Sequence, residues 1–119
     1  MVEPARLSRD QIRTMETVEQ SGEPVGISAV TILEVSALFA SGRPRVKGNM
    51  MELFDQLRSN PMYTILPVTI EIAIEAALLG GVLRDPSDRA IVATARVHRL
   101  RLLTSDQRIV ESGLVPVVD

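Results

Sequence analysis

The chain is 119 residues long, with 13 basic and 15 acidic residues and a formal net charge of −2. Its composition, 45% hydrophobic and 24% charged, is that of one globular domain and excludes a disordered chain. Cysteine is absent and histidine occurs once, at His98, so disulfides, thiol catalysis, cysteine zinc sites and two-histidine metal motifs are excluded. No window approaches the roughly 18 apolar residues of a membrane span, and residues 1–10 mix charges in a way no secretory signal does. Lys47 is the only lysine among thirteen basic residues, and no phosphate-binding Gly-x-x-x-x-Gly-Lys loop exists. The arginine bias suits phosphate and carboxylate partners, although codon preference is the ordinary explanation.

In chain order, the pattern first predicts a helix over residues 9–20. Ser8 and Gln11 form a capping box, Leu7 and Ile12 a hydrophobic staple, and Gly22 the stop. A strand over 25–27 follows, and Ser28 caps a helix over 29–40. Residues 43–48 read as a loop. Asn49 caps a helix over 50–58 with Met50, Leu53, Phe54 and Leu57 on one side, as core or as a dimer contact. Residues 63–68 read as a strand. Thr69 caps a helix to about residue 79, with Ile70, Ala73, Ile74, Ala77 and Leu78 as its apolar stripe. Asp85-Pro86 opens a helix to about residue 98. A strand over 101–104, a helix over 105–111 and a strand over 115–118 complete the chain. Strands alternating with helices predict a three-layer α/β/α fold with a mostly parallel sheet, in a single domain spanning 1–119.

Three acids stand out by position. Glu34 is the only charged residue between Gly26 and Gly42, and its neighbours at helical spacing include Val30, Ala37 and Leu38. A carboxylate held against an apolar helix face needs an arginine, a proton or a metal. A solvated glutamate on a helix that happens to be apolar is the ordinary alternative. Asp88 shares a face with Ile91, Val92 and Ala95, and Asp106 follows the strand at 101–104. Each also suits a helix N-terminus through the macrodipole. Asp85 reads as the helix cap itself. In a parallel sheet all three acids fall at the carboxyl edge, where ligands bind. Three carboxylates there repel one another unless cations lie between them, and hard oxygen ligands suit Mg²⁺ or Mn²⁺. His98, in a last helical turn, reads as structural. No Gly-x-Ser-x-Gly elbow supports serine hydrolysis.

These segments resemble the PIN domain family, and within it the VapC toxins of toxin–antitoxin systems. The stretch from Val25 to Glu34 resembles the family's second-acid segment, and Leu66-Pro-Val-Thr69 with the helix behind it fits the same pattern. The stretch from Asp85 to Ala95 resembles the third-acid helix, and Leu102-Leu-Thr-Ser-Asp106 the fourth-acid strand and turn. The resemblance implies a cytoplasmic, Mg²⁺- or Mn²⁺-dependent endoribonuclease with the metal on Glu34, Asp88 and Asp106. Asp85, Ser28 and Thr104 would support that group, and Arg89 and Arg108 would contact RNA phosphates. It further implies a homodimer neutralised by a cognate antitoxin.

One departure matters. The family opens with an apolar central strand ending in Asp, and this sequence has no such segment; Asp10 lies in a predicted helix turn. A late start assignment, a shortened chain or a degenerate gene copy would each account for it. The expectation is a domain truncated at its N-terminus, destabilised, and weak or inactive as a nuclease. The alternative function is a non-catalytic PIN-like module that dimerises or binds an antitoxin. A receiver-like phosphoacceptor is disfavoured, because Lys47 falls in a predicted loop rather than at a strand end.

Overall fold

The structure is a computed structural model that describes residues 1, 20, 22, 24–41, 49–104 and 107–118. Asp106 and residues 9–19 of the helix predicted over 9–20, with its Ser8 cap and Asp10, lie outside the described residues, as do the loop at 43–48 and Lys47.

Strand β1 (Val25–Ser28) leads directly into helix α1 (Ala29–Ala40). Ser28 sits in extended backbone and its Oγ accepts from the Val30 amide at 3.1 Å. Helix α2 (Met50–Ser59) starts in the same way at Asn49, whose Oδ1 accepts from the Met51 amide at 2.8 Å. Strand β2 (Tyr63–Leu66) then pairs with β1 in parallel, Val25 opposite Tyr63 and Ser28 opposite Leu66. Thr69 caps helix α3 (Ile70–Leu78), and Asp85 caps helix α4 (Pro86–Val97). In each cap a short side chain takes up amides that the first helical turn leaves unbonded. Strand β3 (Leu102–Leu103), helix α5 (Gln107–Ser112) and strand β4 (Val117–Val118) follow, with β3 and β4 also parallel.

Two parallel strand pairs therefore stand among the described residues, each crossed over by helix as parallel pairing requires. Gly26 shows how they are joined. A Cβ there would stand 2.7 Å from Leu66 Cδ1 and 3.3 Å from Leu100 Cδ1. Side chains from β2 and from the approach to β3 thus meet over β1, in room that only glycine leaves.

Helix α4 lies at the centre. Ile91, Val92, Ala93 and Ala95 are all 0% exposed and Thr94 is buried with them. A helix buried on every side has neighbours on every side. α3 packs against it most extensively, and Ile72 and Leu79 supply the contact. Arg96 Nε reaches back to Glu75 Oε1 at 2.6 Å and tethers the same pair of helices. Leu102, Ile109 and Val115 close the core from β3, α5 and the approach to β4.

Two expectations are corrected. The stripe Ile70, Ile74 and Leu78 faces out, at 77%, 59% and 75% exposure, and Ala73 and Ala77 are exposed with it. α3 is apolar nearly all round, so spacing alone could not choose between its faces, and the helix turned Ile72 and Leu79 inward instead. Likewise α1 is not pressed into the core by an apolar face. Thr31 is its only buried residue, Leu33 is 69% exposed, and Glu34 is half-buried. No helix among the described residues is long and apolar enough to cross a membrane.

Candidate active site

The first turn of α4 builds the site. Asp85 Oδ1 accepts from the Ser87 amide at 2.8 Å and from the Asp88 amide at 3.4 Å, with Pro86 at the first helical position. This start fixes Asp88 on the side of the helix that carries Ile91, Val92 and Ala95, and Asp88 is only 7% exposed. A carboxylate so deep keeps its charge only beside cations or donors. Arg108, at the start of α5, provides one: its Nη2 lies 3.7 Å from Asp88 Oδ2. Asp88, Asp85, Arg108, Arg84, Val82 and Leu83 line an open cavity of about 390 Å³. The pocket is therefore lined by both acids and arginines.

α1 carries Glu34, the other described acid of the expected group. Ser28, Thr31 and Glu34 follow one another at three-residue spacing, so neighbours in the series share a helix face. Ser28 is fully buried and Thr31 is 3% exposed. The Thr31 Oγ1 is buried and makes no hydrogen bond among the described residues. Buried hydroxyls are satisfied as a rule, and an orphan calls for a water or ion. No sequence motif singles out Thr31; its place three residues before Glu34 is the only signal it carries. Thr104, 2% exposed, follows β3 just before the segment that carries Asp106.

Asp106 lies outside the described residues, and among those described no three acidic or histidine side chains cluster closely enough to hold a metal ion. Glu34 and Asp88 sit on helices that touch, α1 and α4. Arg89, expected on RNA, has its guanidinium under the turn after α3. Its Nη2 donates to the Arg84 carbonyl at 3.5 Å, and a Cβ at Gly80 would stand 3.0 Å from its Nη1. His98 is the exposed C-cap of α4, as the structural reading expects. Carboxylate and hydroxyl oxygens such as those of Asp88, Glu34 and Thr31 are hard donors, the kind Mg²⁺ and Mn²⁺ take.

A family model described as PIN domain matches residues 4–113. The chain belongs to the PIN domain family. Three solved structures share the fold of this PIN domain. One is a toxin-antitoxin complex from Klebsiella pneumoniae, 22% identical with a TM-score of 0.67, covering 94% of this chain and 85% of that one. FitAB bound to an IR36 DNA fragment is 21% identical with a TM-score of 0.66, covering 99% and 94%. FitAcB from Neisseria gonorrhoeae is 22% identical with a TM-score of 0.68, covering 100% and 97%. No curated protein matches the sequence. The expected PIN-like fold, helices around a small parallel sheet, is thus what the chain adopts.

Proposed function

We propose that this PIN domain is a divalent-metal-dependent endoribonuclease that acts in the cytoplasm as the toxin of a toxin–antitoxin pair. The observation that carries the reading is Asp88: a nearly buried carboxylate in an open pocket that Arg84 and Arg108 also line. Glu34, Asp88 and Asp106 would hold Mg²⁺ or Mn²⁺, and the unpaired Thr31 hydroxyl would face the ion or its water. A bound ion supplies Lewis acidity and a water that ionises near neutral pH. The protein's own work is positioning. Asp85 fixes the turn that aims Asp88, Ser28 fixes the start of the helix that carries Glu34, and Thr104 links β3 to Asp106. Arg108, largely exposed beside Asp88, is placed to hold a phosphate of the substrate. Arg89 would join it only by leaving its seat under Gly80.

The partners in this reading are RNA, a protein antitoxin and a second copy of the chain. Support for the antitoxin is the fold shared with a toxin-antitoxin complex. Support for the homodimer is the uncovered stripe of Ile70, Ile74 and Leu78, extended by Val68 and Val82. The same stripe favours a second reading, a non-catalytic binding module.

RNA incubated with the chain and millimolar Mn²⁺ separates the two. The nuclease reading expects new RNA ends that disappear with EDTA and in Asp88→Asn. RNA left intact, with antitoxin binding or dimerisation retained, would favour the binding module.

A further inference from the structure

The C-terminal end of α4 closes as a Schellman motif. The Leu100 amide donates to the Ala95 carbonyl at 2.8 Å, and the Arg99 amide to the Arg96 carbonyl at 3.2 Å. Such a closure puts one residue in the left-handed region, where glycine is the usual choice. Here it is Arg99, with φ of 55°, the one non-glycine residue in that region among those described. An L side chain is strained there and glycine is not. Strain retained in a fold points to a use for the side chain that causes it.

That side chain lines a shallow cavity of about 400 Å³, together with Arg96 and Arg101 over a floor of Leu100, Val115 and Pro116. Arg96 is already engaged, by Glu75 and by the Leu114 carbonyl. Its pairing also neutralises Glu75, the one acid of the cavity wall among the described residues. Arg99 and Arg101 have no ion-pair partner among the described residues. Among the described residues the cavity therefore presents two guanidinium groups without an acidic partner. Eleven residues of helix and cap separate Arg99 from Asp88, about 16 Å at helical rise. Arg84 and Arg108 mark one end of α4 and Arg99 and Arg101 the other. Positive charge repeated at that interval suits an extended polyanion better than a single carboxylate.

We propose that the cavity beyond the C-terminus of α4 is a second phosphate-binding site, where Arg99 and Arg101 hold the backbone of a nucleic acid whose other end reaches the Asp88 pocket. The interval equals about five base steps of a nucleic acid strand. The proposal rests on the nuclease reading for its ligand class, but its test does not use cleavage.

The test is binding of fluorescent RNA in EDTA, with a 20-nucleotide strand and a trinucleotide too short to span both ends of α4. Arg99→Gly is expected to raise the melting temperature, since it relieves the strained turn. It should still weaken binding of the 20-mer at least threefold and lower its salt slope by about one. Arg101→Gln should weaken the 20-mer similarly. Trinucleotide binding should be unchanged in both variants, and Arg58→Gln, which removes a distant exposed charge, should bind like the parent. A 20-mer bound within twofold of the parent by Arg99→Gly would overturn the proposal. So would a parent chain that binds poly-glutamate but not RNA, which would assign the cavity to an acidic protein segment. Loss of 20-mer binding in Arg99→Gly alongside cleavage indifferent to Asp88→Asn would sink the nuclease site and leave the phosphate site standing.

Discussion

Arg108 Nη2 stands 3.7 Å from Asp88 Oδ2, an exposed cation beside a nearly buried anion: the arginine side chain is 72% exposed and the aspartate 10%. A pair with one member in water is weak and screened by salt. Arg108 therefore holds positive charge at the pocket without locking the carboxylate away from another cation.

Arg108→Gln should accordingly move two affinities in opposite directions. Removing a charge about 4 Å from the carboxylate relieves about 1 kcal/mol of repulsion on an incoming cation, so Mn²⁺ should bind about fivefold more tightly at low salt. RNA should bind more weakly, with its salt slope reduced by about one. Titration calorimetry with Mn²⁺ and anisotropy with RNA read the two effects. Unchanged Mn²⁺ affinity would separate Arg108 from the acidic site.

Asp85 acts on the site through the backbone. Losing the cap in Asp85→Ala should cost about 0.5–2 kcal/mol in urea unfolding at an unchanged m-value, and Asp85→Ser should restore most of it. Because the same cap fixes the turn that carries Asp88, Asp85→Ala should also weaken Mn²⁺ binding. Stability lost with Mn²⁺ affinity intact would show that Asp88 is positioned by something else.

The two sides of the α3–α4 pair should respond differently. Ile91→Ala, at 0% exposure, should cost about 2–5 kcal/mol, and Ile74→Ala, at 59% exposure, about 0.5 kcal/mol or less. Ile74→Glu with Leu78→Glu should keep the fold and turn a dimer into a monomer by light scattering. A monomeric parent chain would leave the exposed stripe to another partner.

The sequence was most legible where structure is set by neighbours in the chain. Ser28, Asn49, Thr69 and Asp85 cap the helices they were expected to cap, because a cap is a contact across two or three residues. Asp88 sits on the core side for the same local reason, fixed by its distance from Ile91 and Val92. The orientation of α3 is a tertiary decision. With isoleucine and alanine on every side, only its packing on α4 chose Ile72 and Leu79 over Ile70 and Ile74. The Arg96–Glu75 pair spans 21 residues and had no sequence signal. Neither did the left-handed turn at Arg99, where the expected glycine is absent. β3 proved to be two residues, shorter than the apolar run around it, because a strand lasts only as long as its partner.

Mn²⁺-dependent thermal stabilisation tests the central claim most directly, because it reads the carboxylate site whatever the turnover. With millimolar Mn²⁺ at about 100 times its dissociation constant, the gain is about 2.7 kcal/mol. The parent chain should therefore melt several degrees higher with the metal than without it, and Asp88→Asn should show no such rise. A parent chain indifferent to Mn²⁺, or a rise equally large in Asp88→Asn, would contradict a metal site built on Asp88.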